Sequence, residues 1–375
     1  MNKMKVLTVV GTRPEIIRLA RVIAELERHT RHVLVHTGQN YDYELNGIFF
    51  RDLGIRKPDH FLDAAGGTAT ATIGNTLLRV DPVLAAEKPD AFLVLGDTNS
   101  CIAALAAKRR RIPVFHMEAG NRCFDERVPE EINRRLVDHL SDVNLPYSER
   151  ARELLLREGL PPDRVIKTGS PLHEVIHHYL PKVRKSRALA RLKLKAGGYF
   201  LVSAHREENV DEKARLRELV ESLNAVARAY GNRVILSTHP RTRQRLEALG
   251  QQLRREIELH KPFGFTDYLA LELGARAVLS DSGTITEESA ILNFPALNIR
   301  DTHERHEGME EAAVIMTGLK RESILAGLAV ALQQPRGRSR LIRVPADYAV
   351  PNVSHKVLRI ILSYTGYVNR TVWRK

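Results

Sequence analysis

The feature that most constrains this chain is a pattern that recurs along it: a short apolar run, a polar turn and then a helix. Lys5–Val10 is the first such run, and Thr12 and Glu15 then have the spacing of a capping box at a helix start. Similar runs span 32–36, 91–95, 114–116, 199–203, 234–237, 277–280 and 296–299. Strands that alternate with helices predict an α/β fold built on parallel sheets.

A polar and basic stretch interrupts this alternation and divides the chain into two parts. The pattern pauses near residues 168–171 and resumes at residue 199. At 375 residues, the chain is long enough for two or three domains with substantial cores. We predict one α/β domain over residues 1–172, a second over 173–353, and a C-terminal helix within 354–375.

The charge of the chain is strongly positive, but its pattern does not favour a nucleic-acid partner. There are 58 Lys and Arg residues against 45 Asp and Glu residues, which gives a net charge of +13. Basic clusters at 108–111, 182–195 and 336–343 contain no aromatic residue, and aromatics make up 6% of the chain, so platforms for stacking bases are scarce. The composition predicts solvated basic faces and a field that attracts a small anionic ligand.

Cysteine number and hydropathy argue against several other classes of protein. Cys101 and Cys123 are too few for a disulfide framework or a four-ligand zinc site. No run approaches the length of a transmembrane helix, and the first apolar run is too short for a signal peptide. We therefore expect a cytoplasmic protein without a metal site or a membrane partner.

Polar residues follow most of the predicted strands, at the sheet edge where α/β proteins bind their ligands. They are Arg13, Asp97, Glu118, His205, His239, Ser282, Thr284 and Arg300. Residues 281–284 offer hydroxyls and backbone N–H groups at a helix N-terminus, which suits a phosphate or diphosphate. The alternative is a plain cap in which Thr284 and Glu287 form a capping box. Glu288, one turn on, is placed to bind a ribose diol or to lie on a solvated helix face.

Two cationic residues are candidates for anion binding. Arg13 lies in the first turn of a helix and opposes its dipole, which favours a functional role such as bidentate phosphate binding. His205 follows a strand of the second domain, where a catalytic and a structural role are both open. The dinucleotide fingerprint Gly-x-Gly-x-x-Gly, a Walker loop and a serine elbow are absent from the sequence.

Acidic residues form the second group of candidates. Asp97 and Glu118 end two strands that we expect to be neighbours, while Glu130 and Glu131 open a helix. Clustered carboxylates suit acid and base catalysis and stabilise positive charge on a sugar ring. Asp97 is equally well placed to cap a helix, and acids suit any helix N-terminus.

Seven motifs, in order and in spacing over about residues 5–365, carry a resemblance to a known family. They are Gly11-Thr12-Arg13-Pro14-Glu15, Gly96-Asp97-Thr98, Glu118-Ala119-Gly120, Pro129-Glu130-Glu131-x-Asn133-Arg134, Ala204-His205-Arg206, Asp281-Ser282-Gly283 with Glu287-Glu288, and Arg300-Asp301-x-x-Glu304-Arg305. Together they resemble the non-hydrolysing UDP-N-acetylglucosamine 2-epimerase family.

The resemblance implies an α/β architecture of GT-B type: two Rossmann-like domains with parallel sheets and a ligand cleft between them. It also implies that the second domain binds UDP, that the C-terminal helix crosses back to the first domain, and that the enzyme is a homodimer. The implied reaction inverts C2 of a UDP-2-acetamido sugar, because UDP is eliminated to leave a 2-acetamidoglycal and is then added back. Neither a metal nor a nicotinamide cofactor takes part.

Matched motif by motif, the family's functional residues fall on candidates already identified. Those implied in catalysis are Asp97, Glu118, Glu130 and His205. Those implied in binding UDP are Arg13, Tyr268, Ser282, Gly283, Thr284 and Glu288. Within the second set, Glu288 is expected at the ribose, Tyr268 at the uracil, and the others at the diphosphate, which His205 also contacts.

Three stretches resemble one branch of the family, which makes UDP-N-acetyl-L-fucosamine from UDP-2-acetamido-2,6-dideoxy-L-talose for bacterial surface polysaccharide. They are residues 36–44, 120–125 and 203–209. The glucosamine-type pattern has Gly-Leu-Arg-Thr where this chain has Gly-Asn-Arg-Cys at 120–123. Gln39 matches the first of two glutamines that hold an activating UDP-N-acetylglucosamine in bacterial glucosamine-type members, but Asp42 replaces the second.

Two other functions stay open on the sequence. One is action on UDP-N-acetylglucosamine itself, which would give UDP-N-acetylmannosamine. The other is a GT-B glycosyltransferase or a nucleotide-sugar-binding regulator. A transferase would need an acceptor and would release free UDP. The carboxylate cluster favours chemistry at the sugar over binding alone.

Overall fold

The computed structural model describes residues 3–39, 43–238 and 240–375, and only the backbone of residues 43–46, 207, 240 and 241. It divides the chain into two compact units, the first made of Met1–His178 with Ala346–Lys375 and the second of Tyr179–Pro345. Among the residues singled out above, those at 40–42, which include Asp42, and His239 lie outside the described part of the chain.

Strands and helices alternate along most of the chain, as predicted. The strands are β1 (Lys5–Val10), β2 (Arg31–His36), β3 (His60–Phe61), β4 (Ala91–Leu95), β5 (Val114–Met117), β6 (Val143–Leu145), β7 (Tyr199–Ser203), β8 (Arg233–Ser237), β9 (Ile257–His260), β10 (Ala277–Ser280), β11 (Ala296–Asn298) and β12 (Ile315–Met316). The helices are α1 (Arg13–His29), α2 (Tyr43–Leu53), α3 (Ala69–Glu87), α4 (Ala104–Arg109), α5 (Pro129–Leu140), α6 (Glu149–Arg157), α7 (Leu172–Arg184), α8 (Ala188–Arg191), α9 (Glu207–Val210), α10 (Lys213–Tyr230), α11 (Pro240–Leu249), α12 (Phe265–Gly274), α13 (Thr284–Leu292), α14 (His306–Glu310), α15 (Arg321–Ala331) and α16 (Val353–Thr371).

Each unit contains one six-stranded parallel sheet, and the two sheets have equivalent strand orders. The first sheet runs β3-β2-β1-β4-β5-β6 and the second β12-β11-β10-β7-β8-β9. In each, the chain starts in a central strand, winds to one side, and returns beside its starting strand to wind to the other side. This doubly wound order confirms the predicted α/β fold of GT-B type with two Rossmann-like domains.

The central strands of the first sheet are buried on both faces. Every residue of β1 after Lys5 is buried, and so is all of β4, which is why these strands read as apolar runs in the sequence. Helix α1 packs with Ile16, Leu19 and Ile23, which recur at helical spacing. Each such buried side chain contributes roughly 1.5–3 kcal/mol. The loops at the ends of these strands are therefore attached to well-packed strands.

The division into units differs from the predicted boundaries by a few residues at each end. Helix α7 runs through the first boundary, so the change of unit falls inside a helix rather than before it. At the second boundary the chain rejoins the first unit before α16. There Ser170 N donates to Asp347 O at 2.8 Å. Helix α16 also belongs to the first unit, where its Ser354 N donates to Glu174 Oε2 at 2.9 Å.

Two predicted details of the sequence pattern need correction. The helix expected over 101–107 begins as a 3₁₀ turn, Asn99–Ala103, and becomes α-helical only in α4. The basic run at 336–343 is not simply a solvated face. Arg336 donates to the Leu273 and Ala275 carbonyls at 2.9 and 2.7 Å, at the end of α12. Arg340 donates to the Ala290 and Ile291 carbonyls at 2.6 and 2.7 Å, at the end of α13. Both guanidiniums satisfy carbonyls at helix C-termini.

The described helices and polar clusters bear on membrane and metal binding. Within residues 3–39, 43–238 and 240–375, no helix combines the length and the apolar character needed to cross a membrane. The same ranges contain no group of three or more His, Cys, Asp or Glu side chains that could hold a metal ion. Cys101 is a buried free thiol, and Cys123 is half-buried.

Candidate active site

Most of the predicted site residues follow the carboxyl ends of parallel strands, and several of these strands flank the reversal of winding in each sheet. This is where doubly wound sheets bind their ligands. In the first unit these residues are Arg13 after β1, Asp97 after β4, Glu118 after β5, and Glu130 at the start of α5. In the second unit they are His205 after β7, Tyr268 in α12, Ser282, Gly283 and Thr284 after β10, and Glu288 in α13. Four of the ten residues therefore belong to the first unit and six to the second.

Asp97 is held by a buried guanidinium and does not cap a helix. Arg134 lies 2.6 Å from Asp97 Oδ2 through Nη2 and 3.0 Å through Nε, and it is only 3% exposed. Asn133 donates to the Asp97 backbone carbonyl at 2.9 Å. Thr98 is the N-cap of the following 3₁₀ turn, which removes the capping alternative for Asp97. The two hydrogen bonds from Arg134 fix the position of the Asp97 carboxylate.

Glu118 stands on a strained turn and also faces a guanidinium. Its backbone has a φ of +66°, the left-handed region that residues other than glycine rarely adopt. Arg18 Nε lies 3.7 Å from Glu118 Oε2, and Asn121 Nδ2 donates to Oε1 at 3.4 Å. Arg18 is 2% exposed, and its guanidinium lies 5.7 Å from the centre of the Tyr147 ring. Strain at a fixed acidic residue is typical of a functional site.

The two neighbouring acids at the start of α5 have different surroundings. Glu131 is fully buried and accepts hydrogen bonds from Cys123 N at 3.0 Å and from Arg134 Nη1 at 2.8 Å. Burial alone would raise the pKa of Glu131, but these contacts outweigh it and lower the pKa below its ordinary value. Glu130 is half-buried. Glu131 is therefore an anchor for Arg134, and through it for Asp97.

Arg13 begins α1, and its turn is joined to the Asp97 turn by a buried acid. Glu15 accepts from Thr12 N at 2.9 Å and from Gly11 N, as half of the predicted capping box. It also accepts from Ser100 Oγ at 2.6 Å and from Thr98. Burial raises the pKa of Glu15 despite these contacts. The guanidinium carbon of Arg13 lies 5.8 Å from the centre of the Phe49 ring.

Two buried residues beside these groups were not identified from the sequence. Arg18 lies among the apolar positions of α1, and His116 lies inside the buried strand β5. The available signal was a charged or polar residue at a position that the periodicity assigns to the core. Arg18 and His116 contact residues from distant parts of the chain, so a polar residue at a core position did not by itself predict what either one binds.

In the second unit, Asp281 organises the turn that contains His205. It is fully buried and accepts from His205 N at 2.9 Å and from Arg206 N at 3.0 Å. Asn209 Nδ2 donates to the same carboxylate at 3.3 Å, and His205 Nδ1 lies 3.2 Å from it. The His205 side chain is 38% exposed, so its ring is oriented by Asp281 without being enclosed.

The loop after β10 has the features of an anion site. Ser282 Oγ lies 2.9 Å from Thr284 Oγ1 and accepts from Thr284 N at 3.3 Å, directly before α13. Gly283 is the N-cap of that helix, so the predicted capping box of Thr284 and Glu287 is not formed. Glu287 instead pairs with Arg305 at 2.9 Å. A Cβ atom at Gly283 would come within 2.3 Å of Glu304 Oε1, so a larger residue there would require the Glu304 carboxylate to move.

Glu288 in α13 is buried, and Tyr268 in α12 is half-buried and near enough to be affected by the charge of Glu288. Glu288 is 8% exposed, which contradicts the alternative of a solvated helix face. Burial raises the pKa of Tyr268 well above its ordinary value, and the charges of Glu272 and Glu288 raise it further. Burial and Glu288 also raise the pKa of Glu272. A carboxylate and a nearby phenol ring suit a ribose and a base.

Comparison with known proteins gives a consistent result. The family described as UDP-N-acetylglucosamine 2-epimerase matches residues 24–362. The chain is 51% identical to UDP-N-acetylglucosamine 2-epimerase from Rickettsia bellii, with a TM-score of 0.94 over 100% of both chains. It is 34% identical to the Methanocaldococcus jannaschii enzyme solved with UDP-GlcNAc and UDP, with a TM-score of 0.89 over 96% of this chain and 99% of that one.

A relative whose name gives a different substrate is also similar over most of its length. It is the UDP-2,3-diacetamido-2,3-dideoxy-D-glucuronate 2-epimerase of Pseudomonas aeruginosa, 36% identical over 88% of this chain and 92% of that protein. The fold, the family match and these identities agree with the prediction of an isomerase rather than a transferase. The chain therefore belongs to the UDP-N-acetylglucosamine 2-epimerase family, as a non-hydrolysing UDP-sugar 2-epimerase.

Proposed function

We propose that this enzyme inverts C2 of a UDP-2-acetamido sugar by eliminating UDP and adding it back. The C1–O bond breaks and its electron pair leaves with UDP, while a carboxylate removes the proton from C2 and a C1=C2 double bond forms. UDP then adds to C1 of this 2-acetamidoglycal as a proton reaches the opposite face of C2. The net change is stereochemical, so the reaction consumes no redox cofactor.

The observation that carries this proposal is a pair of carboxylates, Asp97 and Glu118, after the neighbouring strands β4 and β5, each beside a buried guanidinium. Ionised carboxylates stabilise the positive charge that develops at C1. They can also take the C2 proton, which becomes acidic only as that charge develops. Glu130 is proposed as a third acid or base, so that different groups serve the two faces of C2.

The second unit supplies the proposed contacts to UDP. Ser282, Gly283 and Thr284 offer hydroxyls and backbone N–H groups at the start of α13, where the helix dipole favours a diphosphate. His205 is oriented by Asp281 and is proposed to stabilise the charge of the leaving UDP. Glu288 is proposed to bind the ribose and Tyr268 the uracil. Arg13, from the first unit, is proposed as a further diphosphate contact.

The proposed substrate is UDP-2-acetamido-2,6-dideoxy-L-talose, and the product is UDP-N-acetyl-L-fucosamine. The sequence stretches 36–44, 120–125 and 203–209 support this choice. Cys123 replaces the threonine of the glucosamine-type pattern, and its Sγ lies 3.3 Å from Glu131, the anchor of Arg134. The P. aeruginosa relative acts, by its name, on another modified sugar, so sugar preference varies among similar chains.

The alternative substrate is UDP-N-acetylglucosamine, with UDP-N-acetylmannosamine as product. The names of the R. bellii and M. jannaschii relatives favour it. The same carboxylates and the same UDP contacts would serve this reaction. The contacts to C3, C5 and C6 of the sugar would differ, because the two sugars have opposite configurations at C3 and C5 and only UDP-N-acetylglucosamine carries a 6-hydroxyl.

We also propose a homodimer formed through an apolar face of the first unit. Leu78 in α3, Leu105 in α4, and Ile132 and Leu136 in α5 are 75%, 36%, 54% and 51% exposed. Helix α4 packs against both α3 and α5, so these side chains belong to one run of helices. Light scattering after gel filtration should find a dimer for the wild type and a monomer for Leu136→Glu. Leu341→Glu, at a residue 73% exposed in the second unit, is the control.

Proton NMR in heavy water tests the reaction and the substrate together. The protein is incubated in parallel with UDP-2-acetamido-2,6-dideoxy-L-talose and with UDP-N-acetylglucosamine. We expect deuterium to enter C2 of the 6-deoxy sugar without net loss of UDP-sugar. Exchange with UDP-N-acetylglucosamine would favour the alternative substrate and contradict the branch assignment.

The Asp97→Asn variant is the control for contaminating activity, since it keeps the shape of the side chain and removes its charge. Exchange in this variant at the wild-type rate would mean that Asp97 takes no part. If the wild type exchanges C2 of neither sugar, the proposed reaction on both substrates is wrong.

A further inference from the structure

A histidine and an aspartate lie fully buried beneath the carboxylates of the first unit. His116 is in the middle of β5 and Asp138 is in α5, and the side chains of both are 0% exposed. His116 Nδ1 lies 3.0 Å from Asp138 Oδ1. Polar groups in a strand core lower stability unless they are satisfied. A ligand cannot reach either side chain at this burial, so their effect must pass through the groups that they hold.

The imidazole ring holds the peptide that leads into Asp97. His116 Nε2 lies 2.8 Å from the Gly96 carbonyl oxygen and donates to it. Gly96 has a φ of +76°, and its own N–H donates to Met117 O at 3.0 Å. The carbonyl of Gly96 belongs to the peptide bond with Asp97. The orientation of this peptide plane therefore determines the position of the Asp97 Cα atom, from which the side chain extends.

Asp138 holds the turn that follows Glu118. Both of its oxygens lie 3.2 Å from Gly120 N, and Arg122 Nη1 donates to it at 2.7 Å. The same Nη1 donates to the Asn121 carbonyl at 2.7 Å. Gly120 has a φ of +81°, and a Cβ atom there would come within 2.4 Å of the Ala151 carbonyl oxygen. Asp138 therefore supports the strained turn on which Glu118 stands.

We propose that His116, through its contacts with the Gly96 carbonyl and with Asp138, is a positioning residue that fixes Asp97 and Glu118 relative to each other. The two carboxylates come from turns after different strands, and this ring bridges the supports of both turns. Transition-state charge is stabilised only by groups held in place beforehand. The proposal rests on the roles given above to Asp97 and Glu118.

Two substitutions separate the two contacts of the ring. Asn keeps an N–H group near the position of Nδ1, facing Asp138, and removes the donor to Gly96. Gln keeps an N–H group near the position of Nε2, facing Gly96, and removes the one that faces Asp138. We expect His116→Asn to lower kcat about 100-fold because the Asp97 peptide is released, and His116→Gln to lower it about tenfold.

In both variants KM and the Kd of UDP should stay within about twofold of the wild type, because the proposed UDP contacts of the second unit are untouched. His139→Gln is the matched control: His139 lies 3.2 Å from Glu158, at the outer end of the same set of ion pairs, and is 51% exposed. We expect the wild-type kcat from it. Wild-type kcat in both His116 variants, or equal losses in kcat and UDP affinity, would overturn the proposal.

A direct measurement covers the case in which the His116 variants do not fold. In wild-type protein labelled with ¹⁵N-histidine, one ring N–H should resist exchange in heavy water and show a through-space contact to the Asp97 amide. Absence of this signal would overturn the proposal. Failure of the proposed function is distinguishable, because the wild type itself would then exchange no C2 hydrogen, whatever the variants do.

Discussion

The two groups of site residues hold their polar side chains in different ways. In the first unit the carboxylates of Asp97 and Glu118 face the buried guanidiniums of Arg134 and Arg18. In the second unit the loop after β10 offers hydroxyls, backbone N–H groups and a helix N-terminus, next to a partly exposed histidine. Both groups contain buried charges, since Asp281 and the Glu287–Arg305 pair are buried in the second, but there the loop itself offers a ligand hydroxyls and backbone N–H groups rather than carboxylates.

This difference between the two groups of residues indicates a different role for each. Buried ion pairs fix charge in one position, at a cost in desolvation that stability alone does not require. Fixed charge is what a reaction with a cationic transition state needs. Neutral donors at a helix end adapt to an anion that must enter and leave. The first unit is therefore suited to chemistry and the second to nucleotide binding, and the following predictions test that division.

The largest effect is expected from the carboxylates of the first unit. Asp97→Asn and Glu118→Gln should each lower turnover at least about 1000-fold, because each removes a group that handles charge or a proton at the sugar. The Kd of UDP should stay within about twofold. NMR exchange at C2 gives the first quantity, and calorimetry with UDP gives the second. A loss of UDP affinity in proportion to the loss of turnover would make the residue a binding group.

The next effect concerns stability and its dependence on pH. Asp138→Asn should lower the free energy of unfolding by about 3 kcal/mol at neutral pH, because it removes the buried carboxylate that His116 and Arg122 share and leaves Arg122 with Glu158 as its anionic partner. Burial alone would raise the pKa of Asp138, but His116 and Arg122 hold it below its ordinary value.

A lowered folded-state pKa gives stability that is complete above the unfolded pKa of about 3.9 and is lost as the pH falls through the folded value. Urea unfolding of wild type and Asp138→Asn should therefore converge at acid pH. A gap that stays constant as the pH falls would show that Asp138 acts by packing rather than by charge.

The anchor of Asp97 should have a smaller effect than Asp97 itself. Arg134→Lys replaces a fork that reaches Asp97 and Glu131 at once with a single ammonium, so we expect kcat to fall about 100-fold. Arg135→Lys is the control, since Arg135 is 43% exposed and reaches Glu131 at 3.2 Å. Steady-state kinetics of the two variants give the comparison. Equal losses of kcat in both variants would contradict the role of Arg134 in holding Asp97.

In the second unit the expected effect is on affinity rather than on rate. Glu288→Gln should weaken UDP binding about tenfold, because a charged acceptor for the ribose hydroxyls becomes a neutral amide. The sharper measurement compares UDP with 2′-deoxy-UDP by calorimetry. Wild type should prefer UDP, and the variant should lose most of that preference. An unchanged preference would remove Glu288 from the ribose site.

The smallest effect is expected at the C-terminal end of α13, the opposite end of that helix from the loop after β10. Arg340→Ala removes two hydrogen bonds to carbonyls at the end of α13 and should cost about 1 kcal/mol, since the side chain remains partly solvated. Arg338→Ala, at an exposed position in the same segment, is the control. Thermal unfolding gives the comparison, and turnover should be unchanged in both. A large loss of turnover would mean that this basic segment acts at the site.

Much of the fold was predictable because burial on both faces of a parallel sheet leaves a simple pattern in the sequence. β1, β4, β7 and β10 were predicted to the residue, since each is an apolar run followed by a polar turn. Four strands were missed: β3 and β12 have two residues and β6 has three, so each is too short for a pattern of its own, and β9 alternates apolar and polar residues at the edge of its sheet. The start of α4 was misplaced for a similar reason, since a 3₁₀ turn and an α-helix begin with the same residues.

The sequence by itself determined the fold class and the polar residues at the strand ends, because the period of apolar residues and the place of turns are local properties. Only the tertiary structure decided which of those residues are paired. Arg134 reaches Asp97 across 37 positions of the chain, and His116 reaches Gly96 across 20. Such pairs depend on the order of strands and the direction of side chains, which no local pattern encodes. The sequence therefore identified the polar residues of the site, and the packing of the sheets determined which of them are paired and where they lie.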